Sequence, residues 1–515
     1  MNLLLGIDIG TTNCKACVYQ ENGTIISKQI INTKTHYSAN GWSWYEAKEL
    51  WATVVYLLNN LFKEIDSAKV LALAVTSIGE AGVPIDNNGE ALYPIITWFD
   101  QRSLPQTKMI EELLGNEQVF AITGMDNNPI FSLTKILWLK ENESNIFKKM
   151  VKWLNISDYI SYKLTGNYVT SYSQASRTMV FDIKHNKWSE QIINTLGLKN
   201  SFFPSLQPSG KIIGKITAKA ALETGLKPGM PVINGGHDHL CGSLASGILL
   251  GHRVLDSAGT AESISVILPK DHKISLTKYK GFRVGRYLNP DYIYIVGGII
   301  TSGVAVDWMK ERVASLHDWP IKEGVKIKDI SFELLIREVE KTRPGASGLL
   351  FLPHLRGSGA PYWDPKARGA LLGLTASHNS PQIMRAVFEG LCFEAKIIIE
   401  KMQNLLSCPI EYITTIGGST RNEFWQQLKA DITGLTVEVT EAEEATALGA
   451  AMLAGVGIGL YQDMASASRK IYRVKKRFVP NPANNAKYLE LYQLYNNLYL
   501  TFKNINDQLF YLSNS

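Results

Sequence analysis

Leu3-Leu4-Leu5-Gly6-Ile7-Asp8-Ile9-Gly10-Thr11-Thr12 opens the chain as an apolar run that breaks at a small polar turn. The apolar pattern resumes over residues 14–19 and turns again at Glu21-Asn22-Gly23. Short apolar runs bounded by Gly and small polar residues form buried strands, so the stretch reads as strand, tight turn, strand and hairpin loop. Working outward, Leu50, Val54, Leu57, Leu58 and Leu61 fall at helical spacing within residues 47–65. Residues 71–76 predict another buried strand, which empties into the loop Ser77-Ile78-Gly79-Glu80-Ala81-Gly82. Strands and helices alternating in this way predict an α/β unit with a mostly parallel sheet.

The same device recurs about half a chain later. Residues 253–267 read as strand, turn and strand, with the turn at Asp256-Ser257-Ala258-Gly259-Thr260. Two stretches in which an Asp precedes small residues and Gly-Thr point to an internal duplication. At 515 residues the chain exceeds what one core supports. The boundary is expected near residue 245, just past Gly235-Gly236-His237-Asp238, giving domains over 1–245 and 246–515. The tail, with Tyr488, Leu491, Tyr492 and Tyr495, predicts a terminal helix packed on the body.

Composition narrows the function classes. Lys and Arg number 53 against 47 Asp and Glu, and a net +6 is too small an excess to imply nucleic acid or an anionic membrane as partner. The first apolar run reaches Asp8 without a basic leader, so no signal peptide is expected. Residues 445–461 are uncharged but carry Gly449, Gly455, Gly457 and Gly459, which reads as a buried helix running into a loop, not a bilayer span. The 5 cysteines are scattered, which implies no disulfide framework and makes the reducing cytoplasm the expected compartment. Cys14 and Cys17 would face opposite sides of a strand as small core residues. The basic stretch from Arg469 to Arg477 reads as solvated surface.

Gly-Thr loops after buried strands offer N–H groups and hydroxyls to phosphate oxygens. Two matched loops facing across a cleft would hold a nucleotide's phosphates, with Asp8 supporting Mg²⁺. There is no Walker loop, and the glycines at 455–459 lack the dinucleotide-binding spacing. Asp238 stands between His237 and His239 at the start of a small-residue helix over residues 240–247. It reads as an N-cap with a depressed pKa, or as the modest base that suffices for phosphoryl transfer. Adjacent His-Asp-His side chains diverge, so a metal centre is not expected there.

Together these pieces resemble the FGGY family of carbohydrate kinases. The strongest match runs from Gly369-Ala370-Leu371-Leu372-Gly373-Leu374 to Gln382-Ile383-Met384-Arg385-Ala386-Val387-Phe388-Glu389, and fits the family's C-terminal signature. Ser132-Leu133-Thr134-Lys135-Ile136-Leu137-Trp138-Leu139-Lys140 is similar to the first signature, although Ile130 departs at its opening position. The likeness covers essentially the whole chain. It implies two actin-like, ribonuclease H-like α/β domains with an ATP and substrate cleft between them. It implies Asp8 at the Mg²⁺, and Thr11, Thr12 and Lys15 in the first phosphate loop. Asp238 would be the general base, and Gly259 and Thr260 the second phosphate loop. Gly303, Gly417, Gly418 and Asn422 would meet the nucleotide, while Glu80, Trp98 and Asp100 line the substrate pocket.

The implied activity is transfer of the γ-phosphate of Mg-ATP to a sugar or polyol, such as xylulose or a related ketose or alditol. A homodimer is compatible with it. Two departures bear on the acceptor. Xylulokinases carry Gln-Met-His where this chain has Ile78-Gly79-Glu80, and glycerol kinases carry Arg-Glu at the last two of these positions. The usual Gly-Glu-Arg is replaced in Gly357-Ser358-Gly359-Ala360-Pro361. The rival readings are an actin-like ATPase without a sugar acceptor, and a sugar-binding regulator that kept the fold.

Overall fold

Two sheets built on one plan organise the chain. The structure, a computed structural model, describes residues 2–270, 276–313 and 331–514. The first sheet contains β1 (Leu3–Ile9), β2 (Asn13–Gln20), β3 (Ile25–Asn32), β4 (Val70–Ser77), β5 (Ile212–Lys215) and β6 (Pro231–Ile233) in the order β5-β6-β4-β1-β2-β3. β1, β2 and β3 form an antiparallel meander, whereas β1, β4 and β6 run parallel. The second sheet contains β7 (Arg253–Ala258), β8 (Glu262–Pro269), β9 (Arg283–Arg286), β10 (Tyr292–Ile299), β11 (Tyr412–Ile416), β12 (Thr436–Thr440) and β13 (Val474–Phe478), ordered β9-β10-β8-β7-β11-β12-β13. Here β7, β8 and β10 form the antiparallel part, and β7, β11 and β12 run parallel. The duplication expected from the two Gly-Thr stretches is therefore present in the topology itself.

Asp256, Ser257 and Ala258, expected in the turn, instead form the end of β7, because their backbones pair with β8 on one side and, through Asp256 and Ser257, with β11 on the other. The turn is confined to residues 259–261. The tail also differs from the single helix expected: Pro482–Tyr495 and Leu498–Asn514 are two helices. Tyr488, Tyr492 and Tyr495 of the first are buried in the second domain's core.

Helix α1 (Ala47–Glu64) buries Leu50, Val54, Leu57, Leu58 and Leu61 against the first sheet, and each such side chain contributes about 1.5–3 kcal/mol. Cys14 shares that core, whereas Cys17 joins the core on the sheet's opposite face. Five further helices matter to the site: α2 (Asp238–Ala245), α3 (Gly303–Val313), α4 (Ser380–Gln403), α5 (Glu423–Thr433) and α6 (Ala445–Gly457). The C-terminal signature forms the strand Ala370–Leu372 and then α4, where Arg385 and Glu389 pair at 2.8 Å and Glu389 accepts from the Tyr488 hydroxyl at 2.7 Å. The signature thus anchors the tail.

Helix α6 leaves the second half of the chain and packs on β1, where a Cβ on Gly6 would lie 1.9 Å from the Ala447 carbonyl oxygen. A Cβ on Gly449 would lie 1.9 Å from the Cys241 carbonyl, so α6 and α2 also meet backbone to backbone. These contacts join the two halves through small residues. Gly6→Ala is accordingly expected to cost about 1–3 kcal/mol by overpacking, read as a lower thermal midpoint. An unchanged midpoint would show that α6 can move off β1 freely. No helix among the described residues is long and apolar enough to cross a membrane.

Candidate active site

Asp8 lies near the C-terminal end of β1, opposite Lys15 on β2 and Thr76 on β4. Its Oδ1 is buried without a hydrogen-bond partner. Its Oδ2 is 4.0 Å from Lys15 Nζ, but that ammonium is engaged at 2.6 Å by Glu444 Oε2, from the segment leading into α6. Burial first, then the charge of Asp238, push the Asp8 carboxyl up to about 8, against the pull of Lys15. An orphaned carboxylate oxygen beside a second carboxylate fits a divalent cation, which would relieve both. Beyond Asp8, Thr11 accepts a hydrogen bond from Trp98 Nε1 at 3.1 Å, and Thr12 is exposed.

Asp238 is the first residue of α2. The glycines before it permit its position, since a Cβ on Gly235 would lie 1.8 Å from the Val75 carbonyl of β4. The Gly236 carbonyl then accepts from Thr76 Oγ1 at 2.7 Å, and Ser77 bridges to His237, carrying the parallel pairing to the helix start. Asp238 Oδ1 accepts from the His239 N–H at 2.6 Å. The depressed pKa expected from a helix N-terminus is overturned: burial first, and the Glu80 charge, raise it, with His239 opposing. Desolvation outweighs the first-turn dipoles here. Burial also holds the His237 imidazole well below its usual range, hence neutral.

Glu80 supplies the third carboxylate, and its partner is one the sequence did not reveal. Arg177 follows the short helix Tyr172–Ser176 and donates from Nε (2.6 Å) and Nη2 to Glu80 Oε1. A guanidinium thus reaches Glu80 from 97 residues downstream. Gly79 makes room for it, because a Cβ there would sit 2.9 Å from Arg177 Cγ and 2.8 Å from the His237 ring. The one available signal was that Arg177 is the lone charge between residues 171 and 181. The first signature, now the buried helix Ser132–Asn142, supports this corner by donating Ser132 Oγ to the Glu80 carbonyl at 3.0 Å. Trp98, 38 % exposed, stands on the next loop. Asp100 accepts from Arg102 Nη2 at 2.8 Å and from the Ser43 N–H at 2.6 Å, which makes it the anchor of the loop presenting Trp98. Although burial raises the Asp100 pKa, those hydrogen bonds outweigh it and hold the carboxyl below its usual range.

The second turn is open above and braced beneath. Gly259 and Thr260 are exposed, while their carbonyls accept from the N–H groups of Gly303 (2.9 Å) and Ser302 (3.2 Å) at the start of α3. Gly303 must be Gly, since a Cβ would stand 2.6 Å from the Gly259 oxygen. Gly417, at φ 93°, similarly backs onto the Ala258 carbonyl, whereas Gly418 faces open space. Asn422 caps α5 by accepting the Trp425 N–H at 3.1 Å, and its Nδ2 is buried with no partner. Below the turn, Lys429 of α5 reaches Asp256 and, at 2.8 Å, Glu262. A Cβ on Gly242, one turn along α2 from Asp238, would be 3.5 Å from Ile416, so this floor and Asp238 lie on neighbouring elements. Among the described residues, no three His, Cys, Asp or Glu side chains converge into a metal cage.

Models of the N- and C-terminal domains of the FGGY family of carbohydrate kinases match residues 3–245 and 257–458. A xylulose kinase of Bacillus subtilis (strain 168) is 31% identical, with 99% of each chain covered. A gluconokinase of the same organism is 29% identical, covering 89% of this chain and 87% of the relative. Among solved structures, a gluconate kinase from Lactobacillus acidophilus superposes with a TM-score of 0.87 at 25% identity, covering 97% of this chain and 98% of that one. A ligand-bound xylulose kinase from the same species reaches 0.88 at 24% identity, covering 99% and 100%. With both domain models matched on the duplicated actin-like fold, the chain belongs to the FGGY family of carbohydrate kinases.

Proposed function

We propose that the enzyme transfers the γ-phosphate of Mg-ATP to a hydroxyl of a small sugar or polyol, a ketopentose such as xylulose or a related ketose or alditol. The observation that carries this reading is the orphaned, buried Oδ1 of Asp8 at the end of β1, with the half-buried Asp238 carboxylate near enough for its charge to raise the Asp8 carboxyl. When bound, Mg-ATP supplies the phosphoryl group and a cation that neutralises its oxygens. Asp8 would hold that cation with its orphaned Oδ1. Thr11 and Thr12, with Gly259 and Thr260, would meet the phosphates, and Lys15 would steady Asp8 through its bond to Glu444. Gly303 and Gly417 would shape the nucleotide's bed, with Gly418 and Asn422 Nδ2 turned to its base end. Asp238 would take the acceptor's proton, in a transfer where positioning and charge do most of the work. Glu80 and Trp98 would line the acceptor end, and Asp100 would contribute through the loop it anchors.

The direct test is ADP release from Mg-ATP with and without ketopentoses, deoxy-ketoses, gluconate, glycerol and four-carbon polyols. Release dependent on one sugar or polyol of the panel is the expected result and names the substrate class. Sugar-independent release would instead support an ATPase, and no release with any acceptor would remove the kinase reading for this panel.

A further inference from the structure

We propose that the Arg177–Glu80 pair sets acceptor specificity: Glu80 neutralises Arg177, so the pocket takes uncharged polyols and ketoses and rejects aldonates. The inference rests on the phosphotransfer reading above, in which the acceptor lies beside Asp238. Arg177 and His237, the residue before Asp238, both flank Gly79, at 2.9 and 2.8 Å from where its Cβ would be, so the Arg177 side chain stands beside the start of α2.

The charges around this corner cancel one by one. Arg177 gives Nε and Nη2 to Glu80 Oε1, which leaves Oε2 outside the pair. Arg283 of β9 is held by Asp126 at 2.6 Å. Arg102 and Lys15 are already committed to Asp100 and Glu444. Lys135 is buried and turned to the carbonyls of Pro129 and Ile130. Lys135 has no carboxylate partner but is fully buried with its ammonium spent on those carbonyls, so among the described residues of this corner a substrate carboxylate would lose its hydration and find no cation free to pair with it, a cost that a hydroxyl does not bear. Two further observations indicate that the pair is maintained for its chemistry. Glu80 adopts φ 64°, a left-handed conformation that is costly for any residue but Gly and that clusters at ligand sites. Position 79 is a glycine whose missing Cβ is the space Arg177 fills.

The test compares equilibrium binding of matched pairs that differ only at one terminal carbon: threonate and threitol, xylonate and xylitol, gluconate and glucitol. Wild-type protein is expected to bind each alditol more tightly than its aldonate by roughly 10- to 100-fold, the range of one charge-assisted hydrogen bond. Glu80→Gln removes the internal counter-charge and is expected to reverse the preference, because the freed guanidinium then recruits the carboxylate. The double variant Glu80→Gln/Arg177→Met has neither charge and is expected to lose the reversed preference. Mg-ADP binding reports whether each variant is folded. Tighter aldonate binding by wild type overturns the proposal, as does a reversed preference that persists in the double variant. A ratio in folded Glu80→Gln within about twofold of wild type overturns it too. Should Glu80→Gln not fold, the wild-type and double-variant arms still decide. The kinase reading fails on a different readout, the absence of ADP release, and so the two failures are distinguishable.

Discussion

Asp238→Asn is expected to lower kcat by roughly 10²–10⁴-fold while leaving Mg-ATP binding nearly unchanged, the range by which a positioned general base accelerates a reaction. Asn preserves the shape at the start of α2 and an oxygen to accept the His239 N–H, which Asp238 Oδ1 does at 2.6 Å. What it removes is the ability to take a proton. The pH profile gives a second readout. Burial, then Glu80, raise the Asp238 carboxyl, so the native site retains its proton at pH values where an ordinary carboxylate has lost it. The base is the deprotonated form, so kcat/KM should rise with pH through that raised value and fall on the acid side. The acid limb should be displaced above the ordinary range of an aspartate and should flatten in the variant. Turnover of Asp238→Asn within about tenfold of wild type would sink the assignment.

Local pattern made Asp8, the two Gly-Thr turns and Asp238 legible, because each is a few residues long and sits where a buried strand ends. The same is true of the duplication, which two short strand-turn-strand stretches encode and the two matching sheets display. What local pattern does not encode is pairing at a distance. Arg177 meets Glu80 across 97 positions, Lys429 meets Asp256 across 173, and Lys15 meets Glu444 across 429. None of these pairs has a period or a spacing to read. The direction of the Asp238 shift is not legible in sequence for a related reason. A helix start is visible in sequence, and its dipole argues for a lowered pKa. The burial that outweighs it comes from the β4 end, the Gly235-Gly236 crossing and the Glu80 loop, which only the fold brings together. Asp100 shows the converse: it stands in the expected loop, but its oxygens hold Arg102 and Ser43.

The duplication also places two equivalent aspartates in different electrostatic surroundings. Asp8 stands opposite Thr76 on its parallel neighbour, and Asp256 stands opposite Thr415 on its own. They are counterparts, each at the end of a first strand. On the antiparallel side Asp8 faces Lys15, whereas Asp256 faces Ile264. Its cation comes instead from α5: Lys429, buried, is bound to Asp256 and to Glu262, and Glu262 accepts from Ser302 Oγ at 2.7 Å. Ser302 and Gly303 in turn hold the carbonyls of the Thr260 and Gly259 turn. Lys429 therefore gives Asp256 a direct buried counter-charge, where Asp8 has Lys15 only at 4.0 Å, and it fixes the floor of the second turn. Lys429→Met keeps the stem but leaves two carboxylates buried without a counter-charge, which costs about 3–5 kcal/mol. For a domain of this size the thermal midpoint should fall by roughly 6–20 °C. The loss has a definite pH dependence. Burial and the Glu262 charge already raise the Asp256 carboxyl against the pull of Lys429, and removing Lys429 raises it further. A folded-state pKa above the unfolded value stabilises at low pH and does so less as pH rises through it. The variant should therefore be closer to wild type at pH 6 than at pH 8, and should bind Mg-ADP more weakly as the turn loses its floor. A midpoint within about 2 °C of wild type at pH 8 would mean that Asp256 and Glu262 find water or each other's proton without cost, and Lys429 would lose this role.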